Sequence, residues 1–317
     1  MHTLDRLDRQ ILHELDRNAS QSMSLISKSL RLGSDLVEYR IKRLVKDGII
    51  KRFSPLINPS AMGLQIFKTY VKHRLSKSSL AALLENIDKD SHTYWLSEGY
   101  GRWDLVFSVA AKSVAEFQSV LDSHLGSYGT FILDLAVFPL VSVNRFPKHY
   151  LVGKGEEVIR WRSEEGRLIL DDLEKRLLSE ISSNCRTSDI DLAKKLKTTV
   201  AVVNYRRKKL EDHKVILSYW IQLNYAKLGM AQVKVFVEPK DFSRTIRKKV
   251  LAFCRLEPRI TCYIQQIGNY SLEFEAEVTD HQDFTELLDK FRDEFGSEIG
   301  HLEYMTLTRD LCHRVPG

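Results

Sequence analysis

Three observations predict an α+β protein made of two copies of one two-domain unit. The first is a repeat that runs through the 317-residue sequence. Residues 4–63 align without a gap on residues 170–229 at an offset of 166, with Leu12 on Leu178, Asn18 on Asn184, Lys28 on Lys194, Lys42 on Lys208 and Gly63 on Gly229. At an offset of 167, Gly101, Leu105, Phe107, Phe117, Gly129 and Leu135 fall on Gly268, Leu272, Phe274, Phe284, Gly296 and Leu302. The second observation is a change of apolar period within each copy, from helical spacing over the first sixty residues to mixed strand and helix patterns after them. Charge follows the same division, which is the third. Residues 1–60 carry 11 basic and 7 acidic side chains and residues 166–226 carry 12 and 8, while the whole chain is only +6.

Within a copy, Leu4, Leu7, Ile11, Leu12 and Leu15 recur at three- and four-residue spacing, which predicts a helix over 5–18 with one buried face. A short helix over 24–30 follows. Arg31-Leu32-Gly33 reads as a tight turn, and Ser34 as the N-cap of a third helix whose inner face is Val37, Ile41 and Leu44. Gly48 closes that helix, and residues 49–57 read as a short hairpin, the wing. Beyond it, 67–75 is β-rich, 78–87 helical, 93–97 and 105–109 strands, 115–125 helical and 131–143 a strand. The order βαββαβ is the ferredoxin-like arrangement. The predicted architecture is therefore two winged helix-turn-helix domains, 1–60 and 166–226, alternating with two ferredoxin-like domains, 61–144 and 227–312. Residues 145–165, with Pro147, Gly153 and Gly155, read as the linker.

Composition narrows the class of protein. With 43% hydrophobic and 28% charged residues, and only 15 Gly and 7 Pro, the chain is neither disordered nor fibrous. No apolar run approaches the ~18 residues of a membrane span, and the first residues lack the basic-then-apolar order of a secretory signal. A cytoplasmic protein with no membrane partner is expected. Cys185, Cys254, Cys262 and Cys312 have no paired spacing, so neither a disulfide framework nor a zinc site is expected. Gly-rich phosphate loops, nucleophile elbows and metal-spaced histidines are likewise missing, which predicts no catalytic residue, metal or cofactor.

The positive excess is densest in the third helix of each winged domain: Arg40, Lys42, Arg43 and Lys46, then Arg206, Arg207, Lys208 and Lys209. A cationic helix after a tight turn suits the major groove, where it lies between two rows of phosphates. Double-stranded DNA is the expected partner. Arg40, Lys42 and Arg43 are the expected phosphate contacts, with Arg206 and Lys208 at the matching positions. Arg40 and Arg206 have a second available use, as partners of the first-helix carboxylates Asp8 and Glu174. The face opposite the buried stripe carries Ser34, Asp35, Leu36, Glu38 and Tyr39 in one copy and Val200, Ala201, Val202, Asn204 and Tyr205 in the other. Asn204 suits adenine and Glu38 suits the amino group of cytosine, and plain solvent exposure suits both.

The runs Leu4-Asp5-x-x-Asp8-x-x-Ile11-Leu12, Val37-x-x-Arg40-Ile41-Lys42-Arg43-Leu44-x-x-x-Gly48-Ile49-Ile50 and Gly101-x-x-Asp104-Leu105 resemble the leucine-responsive (Lrp/AsnC) family of transcription regulators, twice over. That resemblance implies a DNA-binding winged helix joined to a ferredoxin-like effector domain, which pairs through its sheet and takes a small molecule such as an amino acid. Gly101, by allowing close backbone approach, and Asp104, as a counter-charge for an ammonium group, are the candidate effector site. A strand-connecting turn capped by Asp104 is the competing reading. The second copy departs from the pattern: Thr199 replaces Gly33, Arg207 replaces Ile41, Lys214 replaces Gly48 and Ser271 replaces Asp104. These departures predict that the first winged helix is the better DNA binder and the first effector domain the better ligand site.

Two other readings compete with the regulator. Siroheme decarboxylases are similar in their two-domain unit, and His92-Thr93-Tyr94 resembles the His-x-Tyr they carry before an Arg; here Leu96 and Ser97 stand where that Arg is wanted. An effector-binding scaffold without DNA affinity is the third reading. Finally, the two effector domains are expected to pack on each other as a pseudo-dimer within the chain, through faces carrying apolar residues such as Phe67, Val71, Phe107, Val233, Val235 and Phe274, with the choice between the two alternating sets of strand residues left open. A linker of about 21 residues, spanning roughly 70 Å when extended, would permit it.

Overall fold

In this computed structural model the described residues are 4–152, 158–162, 168–241, 243–313 and 316. The first copy runs α1 (Arg6–Arg17), α2 (Met23–Leu30), α3 (Ser34–Lys46) and β1 (Ile50–Ile57). It continues with β2 (Gln65–His73), α4 (Lys77–Lys89), β3 (Thr93–Gly101), β4 (Leu105–Ala111), α5 (Val114–Leu125) and β5 (Ile132–Arg145). A short helix α6 (His149–Val152) and strand β6 (Ile159–Arg162) follow. The second copy repeats the order with α7 (Asp172–Ser183), α8 (Asp189–Leu196), α9 (Val200–Asp212), β7 (Ile216–Leu223) and a helical turn α10 (Tyr225–Leu228). Its second domain is β8 (Ala231–Pro239), α11 (Arg244–Leu256), β9 (Ile260–Gln266), β10 (Leu272–Val278), α12 (His281–Phe295) and β11 (Ile299–His313).

The chain does not fold copy by copy. One compact unit gathers both winged helices with Phe146–Ile159, and the other gathers both ferredoxin-like domains. In the first unit, Asp5 and Asp171 each start their helix with a capping box closed by Asp8 and Glu174. Ile11, Leu12, Leu15, Ile26, Val37, Ile41 and Leu44 form the buried core of the first winged helix, as their helical spacing predicts.

The wing is not a hairpin. Residues 50–57 are a single extended strand with no turn, and β1 pairs antiparallel with β7 of the other copy, Phe53 opposite Ile221 and Pro55 opposite Tyr219. A lone two-stranded hairpin is marginal in water, whereas here the pairing joins two separately packed cores. Pseudo-twofold symmetry is visible in single hydrogen bonds. The N–H of Ala19 donates to Tyr219 O at 3.0 Å and that of Cys185 to Phe53 O at 3.0 Å; Asn58 donates to Val215 O and Asn224 to Ile49 O, each at 2.9 Å. The predicted linker is also partly folded into this unit, with Phe146 and Leu151 buried and α6 packed on α1. Residues 153–157 and 163–165 of it lie outside the described residues.

In the second unit each domain has the ferredoxin-like strand order, β5-β2-β4-β3 and β11-β8-β10-β9, and the edges join across the copies. β3 pairs with β11 and β5 with β9, so eight strands close on themselves, with β6 flanking β5. Closure removes the open edges that a four-stranded sheet presents. The expected pairing of the two effector domains within the chain is present, but through other residues. Phe67, Val71 and Phe107 lie under α4 and α5 with Leu83, Ile87 and Phe117, and Phe274 packs on Phe291 of α12. Strand side chains alternate between faces, so the enclosed face carries the neighbours instead: Tyr70, Val106, Phe138, Phe236, Met305 and Leu307, with Trp103 and Tyr270.

Candidate nucleic-acid interface

Helices α2–α3 and α8–α9 are the two helix-turn-helix pairs. The turn differs from the sequence expectation in both. The left-handed residue is Arg31 (φ 55°), matched by Lys197 (φ 54°), and the N-cap of α3 is Gly33 in an extended conformation, with Ser34 the first helical residue. A β-carbon at Gly33 would meet nothing within 4 Å. Thr199 therefore fits at the same place, and its hydroxyl accepts the N–H of Val202, a cap the first copy lacks. The other two departures of the second copy are absorbed as well. Lys214 takes the left-handed conformation of Gly48, φ 58° against 67°. Arg207, in place of Ile41, keeps a 14% exposed side chain and reaches Asp189 at the start of α8 at 2.6 Å. Burial lowers its pKa, but Tyr219 and Asp189 together leave it raised.

The inward-leaning cations of each third helix are engaged. Arg40 Nη1 lies 2.6 Å from Asp5 and 3.0 Å from Asp8, and Arg43 Nη2 lies 2.6 Å from Asp8. In the second copy Arg206 pairs with Asp171 and, at 3.2 Å, with Glu174, while Lys209 lies 2.7 Å from Glu174. Asp5 is held below its ordinary pKa by the Arg40 guanidinium. So the carboxylate use anticipated for Arg40 and Arg206 is the one realised in the free protein, and Arg43 shares it.

Among the outward cations is a matched set. Lys28, Arg31 and Lys42 are exposed in the first copy, and Lys194, Lys197 and Lys208 occupy the equivalent positions, exposed, in the second. Sequence reasoning missed the four on or just after the second helix, although their pairing across the repeat was a readable signal. Ser34, Asp35 and Tyr39 are exposed with Leu36, and Glu38 is half-buried; Asn204 and Tyr205 are exposed in the second copy. Tyr39 and Tyr205 are 63% and 69% exposed. Glu38 ion-pairs with Lys42 at 2.7 Å, and that ammonium lowers its pKa. Asn204 stands in the place of Glu38, so the turn before Lys208 carries no carboxylate and the second reading face is the more cationic.

The effector candidates belong to the second unit. Gly101 is left-handed (φ 127°), and a β-carbon there would come within 2.6 Å of Tyr304 O. The close approach it allows is that of β11 of the other copy. Gly268 (φ 140°) makes the equivalent approach to the ring of Phe138. Asp104 is engaged on both oxygens, Oδ1 with Lys72 Nζ at 2.7 Å and Oδ2 with the N–H of His73 at 3.1 Å. Both partners belong to β2, so the carboxylate is tied across to the neighbouring strand. His92 is bound to Asp90 at 2.8 Å, with Glu116 at 3.7 Å, and burial raises the Tyr94 hydroxyl pKa. Among the described residues no group of His, Cys, Asp or Glu could hold a metal, and no helix is long and apolar enough to cross a membrane.

Comparison with known proteins agrees with this anatomy. A winged helix-turn-helix DNA-binding family model matches residues 4–51 and again 170–216. An HTH-type transcriptional regulator of Pyrococcus abyssi is 36% identical over 117 residues, covering 36% of this chain and 77% of the relative. Another, from Pyrococcus horikoshii, is 33% identical over 122 residues, covering 37% and 80%. The fold of the whole chain is similar to that of the siroheme decarboxylase NirDL, with a TM-score of 0.64 and 14% identity over 96% of this chain and 92% of that one. The relatives match one copy's length and the winged-helix model matches both copies, so the chain belongs to the Lrp/AsnC-like HTH-type transcription regulators, as a tandem fusion of two winged-helix and effector-domain units.

Proposed function

We propose that the protein is a sequence-specific transcription regulator that grips one DNA duplex with both of its winged helices. The observation that carries this is the matched set of outward cations, Lys28, Arg31 and Lys42 against Lys194, Lys197 and Lys208, on two helix-turn-helix pairs joined by the β1–β7 ladder. Arg31 and Lys197 support it further. Glycine would take their left-handed conformation without strain, yet both copies place a long cation there. Ser34, Asp35, Glu38 and Tyr39, and Asn204 and Tyr205, are the base-facing candidates. Arg40, Arg43 and Arg206 set the tilt of the third helices through their carboxylates, and Lys42 and Lys208 meet phosphate. The test is binding to duplex DNA across a salt series by the wild type and by two triple alanine variants, one per copy. Each triple variant is expected to reduce the slope of log affinity on log salt by about one unit per phosphate contact removed. A second-copy variant with wild-type affinity and slope would restrict binding to the first copy.

Control by a small molecule such as an amino acid is the finer part of the proposal, and the family resemblance supports it. Because Asp104 is already paired, the ligand's ammonium group is expected to find another acceptor. Asp104→Ala should lower the melting temperature while leaving any amino-acid-induced thermal shift in place; loss of that shift alone, at unchanged melting temperature, would restore Asp104 as the counter-charge. The enzyme reading keeps one support, the whole-chain likeness to NirDL. Titration with an iron porphyrin is expected to give no bound-state absorbance band, and a saturable band would favour the enzyme.

A further inference from the structure

We propose that the enclosed face of the eight-stranded barrel carries a charge code that makes the two effector domains fit each other and not themselves: each brings an inward lysine, and the second alone brings the β10 glutamates that both lysines need. The code is written on β10. Its inward positions are Glu273, Glu275 and Glu277, whereas the equivalent positions of β4 in the first copy are Val106, Ser108 and Ala110. The neighbouring strands carry an inward lysine in both copies, Lys68 on β2 and Lys234 on β8. Glu273, with a side chain 0% exposed, lies 2.6 Å from Lys68 Nζ of the first domain and 2.5 Å from Lys234 Nζ of its own. It also accepts the hydroxyl of Tyr70 at 2.5 Å, and Lys234 reaches Glu275 as well. Two ammonium groups thus share the carboxylates of one copy.

A second pair at the barrel's other seam has the same direction. Arg102, which follows Gly101, places Nε 2.8 Å from Glu303 on β11 and stacks on Trp103. The repeat equivalents are Asn269 for Arg102 and Ala136 for Glu303, so the interaction cannot be formed by two copies of either domain. The physical consequence follows from the cost of burying charge. A barrel of two first domains would enclose two lysines with no glutamate on β4, and a barrel of two second domains would enclose two lysines with the glutamates of both β10 strands. Breaking a buried pair by removing one partner is strongly destabilising because the other charge stays buried, whereas replacing the whole pair by apolar residues is often neutral. Only the mixed barrel brings the counts close, two lysines against three glutamates, where two first domains would give two against none and two second domains two against six. The partner this surface fits is therefore the other effector domain of the same kind of chain, and a second copy of either domain alone is rejected.

The test uses the full-length chain and keeps the backbone. Replacing Glu273→Val, Glu275→Ser and Glu277→Ala gives the second domain the inward residues of the first. This variant is expected to lower the melting temperature by about 10 °C and to speed amide hydrogen exchange at the β3–β11 and β5–β9 seams by about a hundredfold. Adding Lys68→Met and Lys234→Met should return both readouts close to wild type, since no charge is then left unpaired. Where the triple variant does not fold, recovery of a monodisperse, cooperatively melting chain by the lysine replacements supports the code in the same way. Unchanged seam protection in the triple variant, or no recovery on removing the lysines, would overturn it.

Discussion

Arg207 occupies the position of the core residue Ile41, and what makes it tolerable is the company of Asp189 and Tyr219, the latter donating to Glu211 at 2.6 Å. A guanidinium so placed is held by its partners and is not itself a source of stability. Arg207→Ile is therefore expected to leave the unfolding free energy unchanged or slightly raised, while Asp189→Ala, which strands the charge, should cost about 1–3 kcal/mol; denaturant melts of the two variants check the order, and a larger loss for Arg207→Ile would contradict it. Gly101 and Asp104 show where residue-level reading succeeds and where it stops. A glycine needing close backbone approach was legible, whereas the cross-strand partners of Asp104, Lys72 and His73, were not. The identity of what approaches was not, because Tyr304 lies two hundred residues away in the other copy. Gly101→Ala, which brings a β-carbon against that carbonyl in a left-handed conformation, should lower stability by more than 1 kcal/mol.

Elements differ in how much of their surroundings a sequence records. The helices of both winged domains were legible because their apolar stripes face a local core, as Val37, Ile41 and Leu44 do. The strand 50–57 was legible as extended and wrongly given a local partner, since a turn within it was assumed where the ladder is made with β7. Which faces of the barrel strands are enclosed and which are helix-covered was not legible for a related reason: β2 and β4 are buried on both sides, so apolar alternation no longer marks one face. At the turn between the helices the prediction is a trade. Arg31→Gly and Lys197→Gly relieve a left-handed side chain and are each expected to raise stability by a few tenths of a kcal/mol or more while weakening DNA binding. A variant that gained stability and kept full affinity would remove the turn cations from the interface.

At the scale of the whole molecule, the two effector domains of one chain pair with each other, and the repeat is the sequence feature that announced it. Inexact repetition is what gives the pair a direction. In the barrel, burial alone would raise the Glu273 pKa, but the Lys234 and Lys68 ammonium groups hold it at about 2, below its ordinary 4.5. A carboxylate with a depressed folded pKa stabilises above its unfolded value and loses that contribution as the pH falls. Between pH 4.5 and about 2 the wild type should thus lose about 3 kcal/mol that a Glu273→Gln variant does not lose. In the winged-helix pair, Glu38 beside Lys42 in one reading face and Asn204 beside Lys208 in the other make the two faces unlike. Two half-sites about one helical turn, 34–36 Å, or a multiple of it apart are the expected target, and they should differ in sequence. Selection of genomic fragments bound by the purified chain, followed by footprinting of the enriched sequences, tests this most directly. Two protected segments on one face of the duplex with a non-palindromic consensus are expected; a single protected segment, a palindrome, or no enrichment over bulk DNA would contradict two unlike reading faces on one duplex.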